Sequence, residues 1–229
     1  GVSRLVSWGL LNLTHRQGHE KLELIKPGLE YSISINLNTT AHRLSPGHRW
    51  RLSISPTYWP HAWPSPEPVI LTLNTDSDTH LILPIRGENE LDAILSEFGQ
   101  PEGAAPMEHE NLRPESSSRI FKYHQAEGRL QMEDHIDEGR NCLIYNGIIY
   151  DSIIDNKFSI VEGQPLSARV QCDRKVEISR GDWQTRIETS SVMTADSTFF
   201  HLSNILDAYE NQTRIFTKSW TKSIPRNGV

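Results

Sequence analysis

The stretch PGHRWRLSISPTYWPHAWPSPEP, residues 46–68, decides how this chain folds. After the Pro46-Gly47 turn, Trp50, Leu52 and Ile54 fall on one side of an alternating run, with Arg49, Arg51 and Ser53 on the other. A period of two is that of a half-buried strand. The run then breaks at Pro56, Pro60, Pro64, Pro66 and Pro68. Residues with a fixed φ and no amide donor cannot continue a ladder. Strand gives way to a stiff loop carrying Tyr58, Trp59 and Trp63, and strand periodicity resumes at Val69.

The same alternation spreads in both directions. Towards the N-terminus, residues 2–14 read as a strand, and Tyr31, Ile33, Ile35 and Leu37 form another after the Pro27-Gly28 turn. Beyond the loop, Val69, Leu71 and Leu73 pair with Leu81, Leu83 and Ile85 across Asp76-Ser77-Asp78. One short helix is expected over 90–98. There Leu91, Ile94, Leu95 and Phe98 repeat at helical spacing, with Gly99 and Pro101 as stop signals. Residues 99–118, rich in Pro, Gly, Glu and Ser, read as a surface crossover between two groups of strands. The second group is expected at 119–124, 129–136, 142–154, 157–161, 166–178, 183–194, 199–208 and 213–224. Many strands, little helix and no repeat indicate one all-β domain over 1–229, a β-sandwich.

Composition bounds the function. With 36% hydrophobic and 23% charged residues the chain is that of an ordinary globule, long enough to bury roughly three quarters of its unfolded surface. A net charge of −6 lacks the basic stripe of a nucleic-acid partner. No apolar run is long enough to span a bilayer as a helix. Cys142 and Cys172 form no CxxC pair, and Cys172 shares the apolar phase of Ala168 and Val170. A buried reduced thiol and a cytoplasmic location are therefore expected.

Several stretches together resemble the C-terminal jelly-roll domain of the X-Pro dipeptidyl-peptidase and cocaine-esterase family of acyl hydrolases. They are GLLNLTHR (9–16), PGHRWRLSIS (46–55), YWPHAWPSPEPVILTL (58–73), PLSARV (165–170), RGDWQTRIETSSVMTAD (180–196) and LDAYENQTRIFTKSW (206–220). The resemblance implies a galactose-binding-like jelly roll packed on an upstream α/β-hydrolase domain that holds the Ser-Asp-His triad. It also implies strands preceding the segment that matches residues 1–16. An open sheet edge beside residues 2–14 is then expected, available for a homo-oligomer or a swapped neighbour. The chain has no G-x-S-x-G elbow and no βαβ alternation, so no catalytic residue carries over. No cofactor is expected.

His15 and His19 are four apart, but in turn-like sequence that does not support a helical metal face. His48 sits in a turn, and His135 lies among Glu133, Asp134, Asp137 and Glu138 at what reads as a solvated strand end. Arg180-Gly181-Asp182 reads as a tight turn. No catalytic, cofactor or metal residues are assigned. Tyr58, Trp59 and Trp63 remain as interface or cleft-wall residues, since aromatics with a polar edge suit interfaces. A free-standing carbohydrate-binding module using Trp59 and Trp63 as a sugar platform is the alternative, and a simple cap on the core is the plainest reading.

Overall fold

A computed structural model of the chain describes residues 2–76, 78–87 and 89–229. Its fold is all-β. Eight strands form one antiparallel sheet: β1 (His109–Arg113), β2 (Ser116–His124), β3 (Arg129–Leu143), β4 (Ile149–Val161), β5 (Gln164–Arg180), β6 (Trp183–Ala195), β7 (Phe199–Glu210) and β8 (Thr213–Pro225). From β3 to β8 each strand pairs with the next in the chain, while β1 and β2 share the outer edge of β3. Two-residue hairpins join β4 to β5, β5 to β6 and β7 to β8. The Arg-Gly-Asp tripeptide is the second of these, and Gly181 takes φ +56°, where a side chain is disfavoured.

Alternation gives the sheet two unlike faces. Phe121, Met132, Phe158, Val170, Met193 and Leu202 stand directly opposite one another, an apolar row across six strands. Three residues further along β3 the other face presents His135, Asp155, Asp173 and Ser190 in register. Beyond residue 118 the expected strands are found except at 142–154, which a turn at Asn146-Gly147 divides between the end of β3 and the start of β4. The expected break between 154 and 157 is absent, because Asp155 and Asn156 pair on both sides within β4.

Upstream the outcome differs. Among the described residues no strand precedes His109, so 2–14, 31–37, 49–55, 69–73 and 81–85 run without ladder pairing. Local contacts remain, such as the Asn38 N–H donating to the Trp8 carbonyl at 2.9 Å. Alternation marks a face to be buried, but pairing also needs a partner in register, and here Ile33, Leu52 and Leu73 stay exposed. The helix expected at 90–98 is a single 3₁₀ turn, Glu90–Ile94, capped by the Asn89 side chain. Leu95 is already extended and Phe98 is in solvent, since an isolated helix this short needs a surface to pack on. Within the expected 99–118 crossover, residues 109–113 pair as β1.

The chain exposes 18,484 Å². A compact monomer of 26.1 kDa exposes about 10,500 Å². The burial expected from length alone is not reached: Ala168 and Ala195 are the buried hydrophobic residues among those described.

What joins residues 2–108 to the sheet is the end of the chain. Arg226 is 4% exposed. Its guanidinium donates to the carbonyls of Pro64 at 2.5 Å, Asp196 at 3.1 Å and Val229 at 2.6 Å, and lies 4.9 Å from the Phe200 ring centroid. Gly228 O accepts from Asn12 Nδ2 and Thr14 Oγ1. Replacing Arg226 with Met keeps the stem but strands three carbonyls, and is expected to cost about 3 kcal/mol. Urea unfolding followed by tryptophan fluorescence checks this, and an unchanged midpoint would refute it.

Candidate interface at the aromatic loop

Residues 58–66 turn back on themselves through the Ala62 N–H, which donates to Tyr58 O at 2.9 Å. This divides the rings between two sides. Trp59 and Trp63 meet edge to face, 5.2 Å apart at 85°. They contact the apolar face of the sheet: Trp59 lies 6.5 Å from Phe158 of β4, and Trp63 lies 5.7 Å from Phe200 of β7. Aromatic pairs favour this geometry, which sets a positive ring edge against a negative face. The Trp63 Nε1 is buried with no partner.

Tyr58 belongs to the opposite side. It stacks on His61 at 4.7 Å and 24°, and Trp8 lies 5.6 Å from Tyr58. Tyr58 and Trp8 are about two-fifths exposed, and His61 is open to solvent. One loop thus has an anchoring side, Trp59 and Trp63, and a presenting side, Tyr58 and His61 with Trp8. Sequence reading found Tyr58, Trp59 and Trp63 but missed Trp8 and His61, although Trp8 lies in the 2–14 run and His61 within the loop itself. It also missed Arg226, an isolated arginine after a proline.

The other candidates fall elsewhere. His15 and His19 do meet, with Nδ1 atoms 2.9 Å apart, but in a 3₁₀ turn (Leu13–His15) and its extension. His48 closes the Pro46-Gly47 turn through its backbone N–H to Ser45 O. His135 bonds Asp155 at 2.8 Å in mid-sheet, while Asp173 accepts from Ser190 Oγ at 2.6 Å. No group of three or more His, Cys, Asp or Glu side chains suited to a metal occurs among the described residues. Both cysteines are free, and burial pushes the Cys172 thiol up, with Asp173 adding to the shift.

One constellation has the composition of a triad. His201 bonds Asp196 through Nε2 at 2.8 Å and Ser223 Oγ through Nδ1 at 3.1 Å. Ser223 sits in the exposed edge strand β8, paired with His201 itself, rather than at an elbow. Neither of the two concavities described on the surface is lined by these residues. Asp196 is employed as a turn: it accepts from the N–H groups of Thr198 and Phe199, both at 2.7 Å, and from Thr198 Oγ1. A working triad needs its serine, histidine and acid at a cleft with amide donors free for an oxyanion, and Ser223 on an exposed edge strand outside both concavities lacks that setting.

Residues 1–91 match the X-Pro dipeptidyl-peptidase C-terminal non-catalytic domain. No curated protein and no solved structure matches the chain. The matched stretch is less than half of the chain; it includes Trp8 and the whole aromatic loop, and the sheet lies beyond it.

The Asp196 turn yields a pH prediction. Thr198 N–H, His201 and Phe199 N–H, in that order, hold its carboxyl below the usual carboxylate range. A depressed acid contributes stability that is fully present above its unfolded pKa of about 3.9 and is lost as pH falls through the folded value. Amide exchange at Thr198 and Phe199 should therefore quicken as pH drops below about 4, after correction for intrinsic rates. In Asp196→Asn this acid-specific step should be absent; its persistence would place the titration elsewhere.

Proposed function

We propose that this chain is the accessory C-terminal domain of a serine acyl hydrolase of the X-Pro dipeptidyl-peptidase or ester-hydrolase type. In this reading an upstream α/β-hydrolase domain supplies the nucleophile. The single observation that carries it is the match of residues 1–91 to a non-catalytic domain of that enzyme class. The arrangement of the loop supports it further. Rings anchored from behind by Phe158, Phe200 and Arg226 lose little entropy when they meet a partner. Trp8, Tyr58 and His61 then wall the substrate cleft or dock beside it, and Trp59 and Trp63 hold them in place. Uncovered apolar surface on this scale suits a domain that folds against another. Two free thiols fit a reducing, cytoplasmic setting.

The carbohydrate-binding alternative asks for Trp59 and Trp63 side by side on an open surface. They stand at 85° and face the sheet, so no observation favours it.

Two measurements test the proposal. The chain alone should turn over neither 4-nitrophenyl acetate nor Gly-Pro-4-nitroanilide. The polypeptide joining it to its upstream domain should turn over at least one and be labelled by an acyl-serine trap. In that enzyme Tyr58→Ala and His61→Ala should raise KM by about tenfold with little change in kcat, the signature of lost uniform binding. Hydrolysis by the isolated chain that disappears in Ser223→Ala would overturn the reading and make Asp196, His201 and Ser223 the site.

A further inference from the structure

The sheet has two edges, and they are not alike. On one side β1 and β2 follow each other along β3, broken at Pro114-Glu115 and by the register shift between Asp137 and Arg140. On the other side β8 runs for 13 residues, all exposed, and its pairing is regular from Phe216 onward, with one register shift at Ile215. Its inner pairing to β7 fixes which backbone groups are free. Arg226 N–H donates to Thr198 O at 2.8 Å, and the register continues as Ile224 with Phe200 and Lys222 with Leu202. In an antiparallel pair, bonded and non-bonded positions alternate. From Phe216 onward the even-numbered residues of β8 therefore exchange bonds with β7, and Thr217, Ser219, Thr221 and Ser223 point their N–H and C=O groups away from the sheet.

We propose that β8 pairs with β8 of a second copy about a two-fold axis through Ser219, joining two sheets into one. Ser219 is the midpoint of Thr213–Pro225, so this register overlaps the whole strand. It matches outward-pointing groups with outward-pointing groups: Ser219 with itself, and Thr217 with the partner's Thr221. It also places unlike side chains together. Lys218 faces the partner's Trp220, and Lys222 faces the partner's Phe216. Lys218 already lies 5.8 Å from the Trp220 ring of its own strand, so ammonium and indole are matched in reach. Lysines on an edge ordinarily block pairing. Centring the axis on Trp220 would set Lys218 against the partner's Lys222, a like-charge pair opposed across strands. Among axes that match outward-pointing groups, the one through Ser219 sets both lysines opposite aromatic rings.

The contact leaves the aromatic loop and the apolar face free, so it stands independently of the hydrolase reading. Its test is light scattering on the full-length protein at about 1 to 100 µM, a range over which a dimer of moderate affinity assembles. The expected mass is twice that of one chain. Ser219→Pro removes an N–H that the sheet does not use and is tolerated on an edge, so this variant should be monomeric with an unchanged far-ultraviolet circular dichroism spectrum. Lys218→Glu, a surface change that leaves the fold intact, should weaken association about tenfold by setting a carboxylate against the indole face. A monomeric parent at the highest concentration, or a dimer indifferent to Lys218→Glu, overturns the proposal whether or not Ser219→Pro folds.

Discussion

A guanidinium with almost no water around it needs acceptors from the protein, and Arg226 finds three carbonyls, one for each of its nitrogens, in three separate parts of the chain. Pro64 belongs to the aromatic loop, Asp196 to the β6–β7 turn and Val229 to the C-terminus. Burial pulls the Arg226 pKa down, and the Asp196 carboxylate partly opposes the fall. A lysine, with one compact ammonium, could not fan out to three acceptors in this way. The aromatic loop therefore has a fixed position because a buried cation needs its Pro64 carbonyl. The packing of Trp63 on Phe200 goes with it, since Phe200 is in contact with both that ring and the guanidinium.

The sheet itself is stabilised differently on its two faces. On the apolar face, neighbouring strands supply each other's contacts, as in the row from Phe121 to Leu202, but little lies above them except the two anchoring tryptophans. On the polar face, charges are paired across strands. Arg113 bonds Asp137 at 2.8 Å and approaches Asp151 at 3.5 Å, while Arg140 bridges Asp151 and Glu177. On the opposite face, two residues from Phe121 and Met132, Arg119 grips Asp134 with two bonds, and this holds the Asp134 carboxyl below the usual carboxylate range. Exposed pairs of that kind contribute little each. Asp151 is the exception, 3% exposed with Oδ1 unpartnered, so its arginines offset a real desolvation cost.

How far the sequence could be read follows from what stabilises each part. Beyond residue 118 strand order, hairpins and register all come from local alternation and turn residues, and a meander pairs each strand with its chain neighbour. Such a fold is legible. Before residue 109 the same alternation is present in Trp50, Leu52 and Ile54, yet pairing there depends on strands distant in sequence, which a period of two does not specify. Trp59 and Trp63 could be singled out from their type and prolines. Their roles could not, because Tyr58 and Trp59 are adjacent in sequence and face opposite ways.

The trio Asp196, His201 and Ser223 shows why side-chain identity does not make a site. Its hydrogen bonds have lengths a hydrolase would use, yet each member already serves the sheet. Asp196 closes the β6–β7 turn with three donors besides His201, Ser223 lies opposite His201 in the register, and the Asp196 carbonyl is held by Arg226. A nucleophile must be free to move from its base to its substrate, and an oxyanion must find donors left unoccupied for it. The three side chains are held in the β6–β7 turn and the β7–β8 ladder, and the turn meets the aromatic loop through Arg226, which donates to the carbonyls of both Asp196 and Pro64.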